Sequence, residues 1–188
     1  MLVLLSCAKT MSETSKVKVP LTTVPRFQKE ASEIALQMSQ FSVDELERLL
    51  RINARMAVEN YKRYQAFHAE DTSELPALLA YTGIVFKRLN AKDFSKEEFE
   101  YAQEHLRLTS FCYGLLRPLD VIRSYRLEGD VVLPEPGNQR TVCRWLLPFE
   151  RHPLSQTTPT IRFRCGAGSC RHNIGDRAYR CRAPLPEP

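Results

Sequence analysis

Tyr113-Gly114-Leu115-Leu116-Arg117-Pro118-Leu119-Asp120, followed by Tyr125-Arg126-Leu127-Glu128, decides how this 188-residue chain is read. The two segments hold two arginines, two tyrosines and two carboxylates among apolar anchors and turn formers. A buried strand needs no such density of fixed charge. Arginine presents a rigid donor fork suited to phosphate. One reading therefore makes Arg117 and Arg126 anion-binding groups. The other pairs them with Asp120 and Glu128 in a structural ion network, and spacing alone leaves both open. Tyr113 and Tyr125 are expected to pack in the core, the usual fate of tyrosine in an apolar run. Stacking on a base or donating to an anion is their other use. Gly114 is expected to open a turn that presents backbone N–H groups.

Upstream, Ser95-Lys96-Glu97-Glu98 is a capping box that predicts a helix to about Arg107, with Phe99, Ala102 and Leu106 inward. Leu108 to Cys112 reads as a strand or a helix end. Leu78 to Phe86 reads as a strand interrupted at Gly83, where a bulge or a close backbone approach is expected. Ser42-Val43-Asp44-Glu45 is a second capping box. It opens a predicted helix to about His68, with Leu46, Leu49, Leu50, Asn53, Met56 and Ala57 on one stripe. Pro25 to Met38 reads as another helix. Leu2 to Leu5 is a continuous apolar run, as a central buried strand requires. Lys9 follows that strand directly, where α/β proteins place ligand-facing groups. Tyr125 to Leu127 and Val131 to Leu133 complete the list of predicted strands. The order is mixed, with no repeat, and predicts an α+β (mixed α/β) single domain.

The net charge of +5 is unevenly placed. Residues 1–138 carry 18 basic and 19 acidic side chains, whereas residues 139–188 carry nine arginines, no lysine and three acids. The same tail holds four of six cysteines and six of twelve prolines. Periodicity stops at Gly137. Residues 139–188 are read as an irregular Arg/Cys/Pro-rich tail, non-native or disordered, and a shifted reading frame or a misassembled gene end is the hypothesis for a non-native one. Cys165, Cys170, His172 and Cys181 lack the paired knuckle spacing of a structural zinc site, so no metal is expected.

The apolar stretch at Met1 to Leu5 is too short for a secretory signal, and no run is long enough to span a bilayer. With only Cys7 and Cys112 in the body, a cytoplasmic setting is expected. Cys112, alone in an apolar segment, is expected to be buried and inert rather than redox-active. No Walker loop, dinucleotide fingerprint, nucleophile elbow or zincin motif occurs. No catalytic residue and no cofactor can be assigned.

The body resembles the YaaA family of bacterial peroxide-stress proteins. Met1-Leu-Val-Leu-Leu-Ser-Cys-Ala-Lys-Thr10 is similar to that family's opening. Ala80-Tyr-Thr-Gly-Ile-Val-Phe-Lys-Arg-Leu89 matches a second block, and Leu106 to Asp120 with Tyr125 to Gly129 matches the most distinctive one. Cys7, Phe86, Phe111 and Ser124 depart from residues usual in the family. The resemblance covers residues 1–138 and implies a YaaA-like domain that lacks the family's C-terminal third. It also implies non-specific binding of double-stranded DNA through a helix-hairpin-helix-like element, and a role in limiting iron-linked oxidative damage. Leu106 to Leu116 is the best local candidate for that element. Lys9, Tyr113, Gly114, Arg117 and Arg126 are the candidates for contacting DNA or another anion. A second hypothesis is an enzyme acting on a nucleotide or another phosphorylated small molecule through the same cations. A third is an inactive fragment.

Overall fold

The computed structural model describes residues 2–135 and 138–141, which all fall within one unit spanning Met1–Pro148. The elements run β1 (Val3–Leu5), α1 (Gln28–Met38), α2 (Val43–Leu50), α3 (Ala54–Ala66), β2 (Glu74–Pro76), α4 (Ala77–Ala80) and α5 (Ile84–Leu89). A 3-10 turn at Ala91–Asp93 leads to α6 (Lys96–His105), then β3 (Leu106–Ser110), β4 (Gly114–Leu116), β5 (Val121–Arg123), β6 (Val132–Glu135) and β7 (Asn138–Thr141). Helices and mixed sheets together make an α+β fold.

Alternation explains β3, whose Leu106, Leu108 and Ser110 are buried while Arg107 and Thr109 are half-buried. It is the middle strand of a three-stranded sheet, parallel to β1 and antiparallel to β4. Val3 pairs with Leu106, and Ser110 with Gly114. β2 pairs with β5, and β6 with β7, both antiparallel. Strand β1 is therefore an edge strand among the described residues, and Leu2 and Val3 are exposed; the central, buried position expected for Leu2 to Leu5 is not found.

Both capping boxes form. Ser42 and Ser95 each accept the N3 amide while Glu45 and Glu98 reach back to the cap amide. Helix α1 begins at Gln28, with Phe27 as its N-cap, and buries Ala31, Ile34, Ala35 and Met38, which recur at spacings of three and four.

Several elements differ from expectation. The helix predicted from Ser42 to His68 is two helices. Arg51 takes a left-handed conformation (φ 50°) and ends α2, and Asn53 caps α3 by accepting the Met56 amide at 2.9 Å. Asparagine fits the stripe by spacing, but its side chain competes for backbone amides and favours a cap. Leu78 to Phe86 is not a strand but α4, an extended Tyr81, and α5. Tertiary contacts decide this: the Ala77 and Leu78 amides, unpaired within a first helical turn, donate to the carbonyls of Asp120 (2.9 Å) and Pro118 (3.0 Å). Helix α6 stops at His105, because Leu106 is drawn into the ladder with Val3. Tyr125 to Leu127 carries no ladder; the strand lies earlier, at Val121–Arg123.

The core joins α1, α2 and α3 to the sheets through Leu46, Leu50, Ala57, Tyr64, Phe67, Phe99, Leu108, Leu116 and Ile122. No helix among the described residues is long and apolar enough to cross a membrane.

Candidate anion-binding site

Residues 7–12 leave the carboxyl end of β1 and are stitched to α4 and α5. The Ser12 amide donates to the Ala80 carbonyl at 2.7 Å, and the Thr82 amide to the Thr10 carbonyl at 3.0 Å. The Thr82 hydroxyl donates to that of Thr10 at 2.9 Å. Gly83 is required here, because a Cβ at that position would lie 2.8 Å from the Cβ of Ala8. The close approach expected at Gly83 is thus present, although it caps a helix rather than interrupting a strand.

This stitching holds Lys9 against Glu128, 119 residues along the chain, with Nζ 2.9 Å from Oε2. Arg126 joins them. Its Nη1 donates to the Lys9 carbonyl at 3.2 Å and its Nη2 to Glu128 Oε1 at 3.3 Å. The Arg126 side chain is only 11% exposed, and its Nε is buried with no hydrogen-bond partner among the described residues. The Lys9 side chain is 64% exposed. One carboxylate therefore bridges two cations at the end of a parallel strand.

Arg117 belongs to a different cluster, around the buried carboxylate of Asp120. The Arg117 amide donates to Oδ2 at 2.8 Å, while its Nε and Nη2 lie 3.2 and 3.0 Å from Oδ1. The Thr23 hydroxyl donates to the same Oδ1 at 2.6 Å. Thr23 in turn accepts from Gln103, whose amide oxygen accepts the Leu119 N–H. Both ion pairs offered by the structural reading, Arg117 with Asp120 and Arg126 with Glu128, are formed. Burial, with Arg117 nearby, pulls the Arg107 guanidinium below its ordinary value.

Tyr113 is fully buried and its hydroxyl accepts the Arg123 amide at 3.1 Å, so it packs and presents no face to a base. Gly114 has φ +72°, and a Cβ there would lie 2.8 Å from the Phe27 ring. Its turn joins β3 to β4. The segment Leu106 to Leu116 is consequently a β-hairpin, not a helix-hairpin-helix element, because its alternating burial suits a pleat rather than a helix.

Tyr125 is also buried, within a chain of hydroxyls. Ser110 Oγ accepts the amides of Cys112 (3.2 Å) and Tyr113 (2.8 Å). With both lone pairs taken, its own hydrogen goes to Tyr125 Oη at 2.6 Å. Tyr125 then donates to Tyr81 Oη at 2.7 Å. Burial pushes both phenols well above their ordinary value. Neither Tyr81 nor Ser110 stood out in the sequence, since nothing in spacing links positions 81, 110 and 125.

The break between α2 and α3, not expected from the sequence, creates one further feature. Helices α2 and α3 meet through the three-residue connection at Arg51, Ile52 and Asn53. Arg48, Arg51 and Arg55 are exposed around it, and no acidic residue lies between positions 48 and 55. Among the described residues, no group of three or more His, Cys, Asp or Glu side chains could hold a metal ion. The tail positions Cys165, Cys170, His172 and Cys181 lie outside the described residues.

The fold and these clusters define an α+β domain with cations gathered at the carboxyl end of a parallel strand. Residues 1–155 match the family described as peroxide stress protein YaaA, and the chain belongs to that family. It is 86% identical over 145 residues to a UPF0246 protein of Bacteroides thetaiotaomicron, covering 77% of this chain and 56% of that protein. It is 74% identical over 145 residues to a UPF0246 protein of Bacteroides fragilis, with the same shares covered. A UPF0246 protein of Crocosphaera subtropica is 41% identical over 146 residues, covering 77% of this chain and 57% of that protein. The chain spans a little over half the length of these curated relatives.

Proposed function

We propose that this peroxide-stress family member binds double-stranded DNA non-specifically through the α2–α3 connection, and in doing so limits iron-linked oxidative damage in the cytoplasm. The observation that carries the reading is the trio Arg48, Arg51 and Arg55, exposed around a tight helix–turn–helix with no intervening carboxylate. Phosphate contacts of this kind position a protein on a duplex without reading sequence. The start of α3 adds main-chain N–H groups that favour an anion. Among the described residues, the Arg51 side chain pairs with Asp130 alone, and the two side chains are 79% and 58% exposed. Such a pair is worth little in water and exchanges readily for phosphate. Residues 1–138 carry no net positive charge, so the contact is local rather than a broad basic surface.

Duplex binding measured against salt tests the proposal. The logarithm of affinity is expected to fall linearly with the logarithm of salt concentration. Each of Arg51→Ala and Arg55→Ala is expected to lower that slope by about one. The proposal fails if the 188-residue chain melts cooperatively yet binds no duplex, or if removing all three arginines leaves binding unchanged.

A further inference from the structure

We propose that Lys9 and Arg126 form a binding site for a phosphate group, and that Glu128 occupies it as an internal stand-in when it is empty. The inference does not depend on the α2–α3 contact with DNA, since it rests on different residues.

Three observations converge. First, charge is unbalanced: two cations share one carboxylate, which reaches each of them with a single oxygen. Second, the guanidinium is under-used. The edge of arginine that suits a bidentate anion is Nε with Nη2. Glu128 touches Nη2, at 3.3 Å, and leaves Nε buried with no partner among the described residues. A buried donor left in that state costs about 1–3 kcal/mol. Third, the cation is fixed from behind. The Arg126 carbonyl accepts the Tyr64 hydroxyl at 2.5 Å, and its neighbours Tyr125 and Leu127 are buried.

Phosphate suits this geometry better than a carboxylate does. Two phosphate oxygens can take the Nε and Nη2 hydrogens while a third meets the exposed Lys9 ammonium. A carboxylate has no third oxygen, and Glu128 satisfies Lys9 only by giving up the bidentate edge. A phosphate dianion also neutralises both cations once Glu128 swings to solvent. The carboxyl end of a parallel strand is the side on which such ligands bind in open α/β sheets. The phosphate belongs either to a free phosphomonoester or to a nucleic-acid backbone.

Inorganic phosphate, AMP and an unphosphorylated DNA duplex are the probes, read by calorimetric titration and thermal melting of the 188-residue chain. Phosphate is expected to raise the melting temperature, because it binds only the folded state. Glu128→Gln is expected to tighten phosphate binding about tenfold, and Lys9→Ala to weaken it about tenfold, the scale of one charge-assisted hydrogen bond. Both substitutions change side chains that reach solvent, Lys9 at 64% and Glu128 at 27% exposure, so neither variant empties a packed core position. Binding of AMP that a duplex does not displace identifies a phosphomonoester site. Competition by duplex at the Lys9-dependent site identifies backbone phosphate. A phosphate response equal in wild type, Lys9→Ala and Glu128→Gln overturns the proposal, as does the lack of any response in both wild type and Glu128→Gln.

Discussion

The hydroxyl of Tyr64, on α3, donates to the main-chain oxygen of Arg126 at 2.5 Å, although the two residues lie 62 positions apart. That bond fixes the backbone from which the Arg126 guanidinium projects. Tyr64→Phe is expected to cost about 1–2 kcal/mol, since it removes the hydroxyl donor from a half-buried carbonyl. Chemical denaturation with an unchanged slope checks the magnitude. Phosphate affinity should also fall in this variant, whereas a tyrosine that merely filled space would leave it intact.

Asp120 is the more sensitive carboxylate. It accepts from the Arg117 amide, the Arg117 guanidinium and the Thr23 hydroxyl while buried. Asp120→Ala is expected to destabilise the fold by about 3 kcal/mol, because several donors lose a charged acceptor at once. Thr23→Val should cost about 1 kcal/mol on its own. In the double variant the two costs should not add, since both mutations remove the same bond. Additive costs in that cycle would count against the cluster.

Gly114→Ala meets two obstacles. A left-handed backbone costs a non-glycine residue about 1 kcal/mol, and the new methyl group would press on the Phe27 ring at 2.8 Å. Pairing it with Phe27→Leu is expected to recover the steric part and leave the conformational part. Full recovery, read from melting temperatures, would show that φ +72° carries no cost here.

Alkaline pH should unfold the chain. Burial pushes the Cys112 thiol and the phenols of Tyr64, Tyr81, Tyr113 and Tyr125 up from ordinary values of 9.0 and 10.0. Each group keeps its proton in the folded state after the unfolded chain has released it. Stability is therefore full below about pH 9 and falls as pH rises through and above the unfolded values, at up to about 1.4 kcal/mol per group per pH unit. A stability profile that stays flat to pH 11 would contradict this burial. Cys112 should also resist alkylation at neutral pH until the protein unfolds, which favours an inert thiol over a peroxide-reactive one.

Local signals were legible in the sequence and tertiary ones were not. The two capping boxes named helix starts correctly because Ser42 with Glu45, and Ser95 with Glu98, are complete within four residues. Asn53 fits a helical stripe by spacing and a cap by chemistry, and only its bond to the Met56 amide decides between them. Leu78 to Phe86 is an apolar run too short for periodicity to separate strand from helix. The carbonyls of Pro118 and Asp120, some forty residues away, settle it. The candidate site divides the same way. Arg126 and Glu128 are near neighbours and could be paired by inspection, but the approach of Lys9 depends on how residues 7–12 are stitched to residues 80–83.

The parallel pairing of Val3 with Leu106 sets a timetable for the growing chain. The opening strand is made first, yet its hydrogen-bonding neighbour is translated about a hundred residues later. At roughly 5–20 residues per second that interval is about 5–20 seconds. Throughout it, Leu2 to Leu5 is an unpaired apolar strand, the kind of segment that seeks other chains. Biogenesis of this domain should therefore depend more on protection of its first residues at the ribosome than on the intrinsic speed of its helices. Transplanting residues 2–12 behind residue 141 by circular permutation would remove the wait.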